Sequence, residues 1–261
     1  MTEKDKQLSR FGFSFERGGA HTSRTMMLEE MGTLLTYVDQ PEAEKSDYLQ
    51  AIDDENCLGK RSGRTRTLTF RHLADLYALD PSLLVFRALR FFWQRDVVGQ
   101  PLLAVLCAHS RDPMLRATAP FILGFQEGAI ITRESMEDLI DAQEPGRFSK
   151  ATLKSTAQNI NSSWTQSGHL AGRVRKVRAR AVATPGAAAL ALLLGYVGGL
   201  RGESLLKSDY TRILDCSFEQ TLELAEEASR RGWISLKRVG QVIEVLFPNL
   251  ITAQEMEWLL E

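Results

Sequence analysis

The stretch SKATLKSTAQNINSSWTQSGHLAGRVRKVRARAVATPG, residues 149–186, decides the reading of this chain. Ser149 is a favoured helix N-cap, because its hydroxyl can take a backbone N–H of the first turn. From Lys150 to Gln166, Leu153, Ala157, Ile160 and Trp164 recur at helical spacing and predict one inward face. Gly168 ends that pattern. From His169 to Thr184 the sequence alternates and is rich in valine, which predicts a strand-turn-strand ribbon. The alternation slips near Lys176, so a bulge or turn belongs there. Upstream, Thr132 is placed to cap a helix ending near Ala142, and Glu144-Pro145-Gly146-Arg147 reads as a turn. Helix, turn, helix, ribbon is the element order of a winged helix-turn-helix.

The charges of this region are segregated. Between Glu144 and Glu203 there is no acidic residue, yet nine basic ones occur: Arg147, Lys150, Lys154, Arg173, Arg175, Lys176, Arg178, Arg180 and Arg201. The whole chain has a formal net charge of -1, so this excess is local. Lys150, Lys154 and Gln158 are four apart and share one helix surface. Thr152, Ser155 and Asn159 beside them suit phosphate or base-edge contacts. The alternative is a solubilising basic face beside an acidic partner.

A second basic cluster contains Lys60, Arg61, Arg64, Arg66, Arg71 and His72, with no acidic residue between Glu55 and Asp75. Gly59 and Gly63 mark a turn there, followed by a helix from about Thr65. A helix N-terminus with basic side chains is a ready anion site, although a solvated face is the plainer meaning.

Helical periodicity extends over most of the chain. A loose arm or the start of a paired segment, about a dozen residues long, is expected first, then a helix capped by Ser23, and another over 42–55. Further helices are expected over 81–93, 97–109 and 112–125, with Asp80-Pro81 starting the first of these. After the ribbon, helices are expected at 187–200, 217–231, 236–247 and 252–260. The fold class is therefore mainly α, a helical protein with winged helix-turn-helix-like architecture and a short β wing. We divide it into an N-terminal helical domain, 1–128, and a part from 129 to 261 in which 129–184 is winged-helix-like.

Composition excludes other classes. Hydrophobic residues make up 44% and charged residues 25%, too apolar a balance for extensive disorder. The opening MTEKDKQLSR has no apolar signal segment, and the run AAALALLLGYVGGL, 187–200, is too short and glycine-rich to span a bilayer. A cytoplasmic location without membrane partners is expected. Cys57, Cys107 and Cys216 are too widely spaced for a zinc or disulfide framework. His21, His72, His109 and His169 show no metal-ligand spacing, and no phosphate-loop, dinucleotide-binding or nucleophile-elbow motif occurs. No catalytic residue, metal or cofactor is expected.

The segment YLQAIDDENCLGKRSGRTRT, 48–67, with Leu79-Asp80-Pro81 beyond it, resembles the BrxA family of bacterial BREX phage-defence systems. So do the lead-in Gly18-Gly-x-x-x-Ser-Arg24 and the later stretch with Ser149-x-x-Thr152, Trp164 and Gly168-His169-Leu170. The likeness covers roughly 10–182, and the tail after Pro185 departs from the family's shorter pattern. The resemblance implies a non-enzymatic, DNA-binding component with winged-helix character, working beside other BREX subunits that methylate DNA and hydrolyse ATP. The expected partner is double-stranded DNA, contacted through Lys150, Lys154, Gln158, Arg173, Arg175, Lys176, Arg178 and Arg180, with Lys60, Arg61, Arg64 and Arg66 as a second patch. A structural adaptor between larger defence subunits and an RNA-binding protein are the alternatives. The oligomeric state is not legible.

Overall fold

The computed structural model describes residues 2–16, 18–40, 42–240 and 242–260. It is mainly helical, with two small antiparallel sheets. The first half is a succession of helices: α1 (Glu3–Ser9), α2 (Leu28–Tyr37), α3 (Lys45–Asp53), α4 (Gly63–Tyr77), α5 (Leu84–Arg95), α6 (Gln100–Arg111) and α7 (Pro113–Leu123). Strand β1 (Ile130–Ile131), α8 (Arg133–Gln143), α9 (Lys150–Gln166), β2 (Leu170–Ala171) and β3 (Lys176–Arg178) follow. The chain closes with α10 (Pro185–Val197), a 3₁₀ turn at Gly202–Lys207, α11 (Asp209–Arg212), α12 (Phe218–Arg230), β4 (Ser235–Val239), β5 (Val242–Leu246) and α13 (Ala253–Trp258).

The core is built around α10. Its sequence PGAAALALLLGYV is apolar on every side, and a helix of that kind must be enclosed. Every residue from Gly186 to Val197 is buried, against α5, α6, α11 and α12. The apolar run is therefore a core helix, and among the described residues no helix is long and apolar enough to cross a membrane. Asp96 orients α10. Its carboxylate, itself buried, accepts Gly186 N–H at 2.7 Å and Gly99 N–H at 3.1 Å. It thus closes the N-termini of α10 and α6, where orphan N–H groups and the helix dipole favour an anion. A Cβ at Gly99 or Gly186 would meet that carboxylate, so both positions need glycine.

The three-stranded sheet has the order β1-β3-β2 and is antiparallel throughout. Ile130 faces Val177, Ile131 faces Lys176, and Leu170 faces Arg178. Its turn at Gly172–Arg175 explains the slip in alternation. Gly172 has φ +91°, and a Cβ there would strike the Arg175 carbonyl. Lys176 Nζ donates to Gly172 O at 2.7 Å and closes the turn.

Several expectations are corrected. The N-terminal dozen is not a loose arm; it contains α1, with a Thr2–Asp5 capping box. Ser23 caps no helix, because the chain runs on to Met27, a left-handed residue, before α2 begins. Pro81 lies in the turn before α5 rather than in its first position. The largest correction is 236–247, which is the β4–β5 hairpin and not a helix. Its β5 burial alternates strictly, with Ile243 and Val245 inward, and Gly240 at φ +60° makes the turn. Strand is therefore not confined to 170–184.

Two buried histidines link this core to pH. Burial, with a smaller push from Arg116, holds His109 down to about 3, and burial holds His169 down to about 4. Both are neutral in the folded chain near neutrality, whereas an unfolded histidine takes up a proton below about pH 6.5. Unfolding then binds protons, so stability is full above that pH and falls as pH drops toward 4, by about 1.4 kcal/mol per pH unit for each histidine. Urea unfolding from pH 7.5 to 5 should show this slope, and His169→Gln should flatten it; a pH-independent midpoint would contradict the account.

Candidate nucleic-acid interface

The two basic clusters lie at the N-termini of α4 and α9, and both helices begin in the same way. Ser62 accepts Thr65 N–H at 3.2 Å, and Ser149 accepts Thr152 N–H at 3.2 Å. Neither helix has an acidic residue in its first turn. Instead Arg64 and Lys150 occupy those turns, where a cation opposes the helix dipole by about 0.3–1 kcal/mol. An anion docked on the free N–H groups removes that penalty. The turn before α4 is set by Asn56, in left-handed conformation, whose Oδ1 accepts Lys60 N–H at 2.7 Å. That fixes the path of 57–62 and explains the Glu55-Asn56 spacing to Lys60 and Arg61.

Lys150, Lys154 and Gln158 are exposed on one face of α9, while Ala157, Ile160 and Trp164 are buried on the other. Arg173 and Arg175 are exposed at the tip of the β2–β3 turn around Val174, which is 95% accessible. Among the described residues Lys150, Lys154, Arg173, Arg175, Arg61 and Arg64 carry no ion pair. Arg66 is half-buried at the start of α4. Lys60 is partly neutralised by Glu30 of α2 at 3.1 Å. Lys176 is half-buried and occupied by the turn it closes.

Arg178 does not belong to this surface. It is 5% exposed and bidentate on Asp215, with Nη1 at 2.9 Å and Nη2 at 2.7 Å, and it also donates to His169 O. Strand alternation turns it away from the tip and into the body. Arg180 is exposed but lies in a different cleft, beside Asp215, Glu223 and Glu227. A charge count along the sequence could not separate these two arginines from Arg173 and Arg175, because the partner acid is 37 residues away from Arg178.

The segment 18–28 joins α4 and α9. A 3₁₀ turn at Ala20–Thr22 packs between α4 and α9. His21 is fully buried there, its Nδ1 2.9 Å from Asp112 Oδ2 and its Nε2 2.9 Å from Ser163 Oγ. Asp112 also caps α7 by accepting Leu115 N–H at 3.0 Å. Burial pushes the Asp112 carboxyl upward, but the His21 ring and the N–H donors outweigh it and hold it below the ordinary range. Ser163 Oγ accepts Met26 N–H at 2.8 Å and donates to Asn159 O at 2.9 Å. Serine, histidine and aspartate in this order resemble an acyl-transfer relay. Here all three are buried and the serine oxygen is saturated by backbone, so the arrangement works as a strut. Gly19, at φ +95°, passes so close to Asp112 that a Cβ would lie 2.5 Å from Oδ2. This strut gives physical meaning to the Gly18-Gly19 lead-in.

A cleft of about 780 Å³ opens beside the strut, between residues 14–16 and 18–24 and the outer face of α4. Arg24, Arg71, His72 and Arg111 line it together with the acids Glu16 and Asp75, and Asp75 acts on Arg71, His72 and Arg111. Burial pulls His72 downward, aided by the positive charge of Arg24. Arg111 is consumed by backbone, donating to Asp75 O at 3.0 Å and Ala74 O at 3.1 Å. Arg24 was not among the expected contact residues. Its only sequence signal was its place at the end of the glycine lead-in.

No protein-family model matches this sequence, and a search among curated proteins finds no significant match.

Removing the strut should be costly, since a buried carboxylate left without its partner loses about 3–5 kcal/mol. His21→Ala is expected to destabilise by that order, and Ser163→Ala by about 1–3 kcal/mol through the unsatisfied Met26 N–H and His21 ring. Denaturant unfolding measures both; a loss below about 1 kcal/mol for His21→Ala would remove the strut's structural role.

Proposed function

We propose that residues 129–184 form a winged helix-turn-helix-like unit, with α7 packed before it, and that the chain is a non-catalytic, double-stranded DNA-binding protein. The carrying observation is the pair of exposed basic sets without ion pairs, Lys150 and Lys154 at the start of α9 and Arg173 and Arg175 on the β2–β3 turn. The run α7, β1, α8, α9, β2, β3 with sheet order β1-β3-β2 supports the reading, because it gives a helix pair followed by a β wing. α9 approaches the major groove with Lys150, Lys154 and Gln158, and the wing reaches the backbone with Arg173 and Arg175. Lys60, Arg61, Arg64 and Arg66 form a second contact at the α4 N-terminus, and Arg24 and Arg71 extend it across the cleft. Most of these contacts are to phosphates, so binding is steeply salt-dependent and weakly sequence-selective.

The resemblance of 48–67, 18–24 and 149–170 to the BrxA family supports a place in a BREX-type antiphage system beside other subunits. An adaptor role has its own observation. The run α10, α11, α12, β4, β5 again places a hairpin after a helix pair, but α12 turns Glu219 and Glu223 outward where α9 presents lysines. That acidic helix repels a phosphate backbone, so this second unit suits protein contacts.

Lys150→Glu with Lys154→Glu should weaken binding to all duplex sequences alike and lower the slope of log affinity against log salt by about one per lost contact. Lys45→Glu with Lys207→Glu, outside both clusters, should change neither. Mobility-shift titrations at several salt concentrations, with DNA and RNA duplexes of equal length, read this directly. Unchanged binding by the folded α9 variant would overturn the reading, and tighter binding of RNA would replace DNA as the partner.

A further inference from the structure

A second, smaller cavity lies on another part of the molecule, where the end of α6, α7 and α11 meet. It has a volume of about 140 Å³ and is lined by His109, Arg116, Tyr210, Asp209 and Arg212, with Ala119, Pro120 and Leu123 as apolar wall. This is well below the several hundred Å³ of a typical organic-ligand pocket, and equals the space of about four or five waters.

Its polar lining is under-used. His109 is 4% exposed, and its Nδ1 is buried with no hydrogen-bond partner in the protein. Buried polar atoms are nearly always satisfied, so this one asks for an explanation. Arg116 donates from Nε to His109 O at 3.1 Å, and from Nη2 to Ser14 O and Ser110 O, both at 2.8 Å. Its Nη1 makes no hydrogen bond and no carboxylate forms a salt bridge with it among the described residues; the guanidinium lies over the Phe15 ring at 4.9 Å, and Asp112 and Asp5 act on its charge from a distance. Backbone carbonyls hold the guanidinium in place but leave it positive. Tyr210 stacks edge-on to His109 at 5.5 Å and to Phe13 at 6.3 Å. Burial pushes its phenol up to about 12, so the hydroxyl keeps its proton and can donate. The one acid, Asp209, is 3.5 Å from Arg212. The cavity therefore offers a fixed guanidinium, a phenolic O–H and an imidazole nitrogen, with a net positive charge.

The geometry points to a binding site for one small oxyanion of phosphate size, held by Arg116, Tyr210 and His109. The cavity is too small for a nucleotide, and a guanidinium joined by a phenolic O–H and by the imidazole in its Nδ1–H tautomer matches a tetrahedral oxyanion. This site rests on its own residues and is independent of the DNA surface.

The test is a titration of the full chain with inorganic phosphate at constant ionic strength, chloride making up the balance. Calorimetry and the ring signals of ¹⁵N-labelled histidine are followed together. Saturable one-site binding is expected, with the His109 signals moving along the same isotherm. Tyr210→Phe keeps the ring packing and removes only the hydroxyl, so it should weaken binding about five- to tenfold, the worth of one hydrogen bond. Arg116→Gln should abolish it; should that variant unfold, Tyr210→Phe decides alone. Absence of a saturable isotherm would overturn the site. So would phosphate binding that leaves His109 unmoved and is indifferent to Tyr210→Phe, since that anion sits elsewhere.

Discussion

The buried line Asp112–His21–Ser163 ties together three distant parts of this molecule. It joins the start of α7, the 18–28 segment and the last turn of α9, three pieces separated by up to 142 residues in sequence. Because His21 is fully enclosed, its ring nitrogens must be matched, and the cost of losing either partner exceeds that of a surface pair several-fold. The same line sets what surrounds it. Gly19 must lack a side chain to pass Asp112, Asn159 Nδ2 donates to His21 O at 3.0 Å, and Gln166 Oε1 accepts Leu28 N–H at 3.2 Å. The segment is thereby laid along α9 and against α4, and the two basic helix starts are held in one body.

A second clamp fixes the β2–β3 ribbon. Arg178 grips Asp215, and His169 Nε2 donates to Ile213 O at 2.8 Å, so β2 and β3 are anchored to the loop after α11. The anchoring Arg178 and the exposed Arg173 and Arg175 belong to one short run of sequence but differ in burial and in partners. Through this clamp the proposed DNA-reading unit is continuous with a second helix-helix-hairpin unit whose outward helix is acidic. α9 exposes Lys150 and Lys154, whereas α12 exposes Glu219 and Glu223, so the two helices present opposite charge.

Much of the architecture was legible. Thr132, Ser149 and Ser217 are side-chain caps that start their helices where the residue type predicts, and the apolar 187–197 run is a core helix. The failures have local causes. In 236–247 the apolar residues fit either period, and Gly240 with β-branched Val242, Ile243 and Val245 decided for a hairpin. Ser23 has a capping side chain but the wrong backbone path, which the His21 strut dictates. For the site, helical spacing was enough to group Lys150, Lys154 and Gln158. It could not exclude Arg178 or add Arg24, because burial against Asp215 and the course of the glycine lead-in are long-range facts that composition does not carry.

The account's central claim is that the helix starts at Ser62 and Ser149 and the turn at Gly172–Arg175 form one DNA-facing surface. Amide hydrogen exchange of the full chain, with and without a duplex at low salt, tests it most directly. The account predicts slowed exchange in 62–72, 149–158 and 172–176, with 218–246 unchanged. Protection confined to α12 and the β4–β5 hairpin, with no change at the α9 N-terminus, would contradict it.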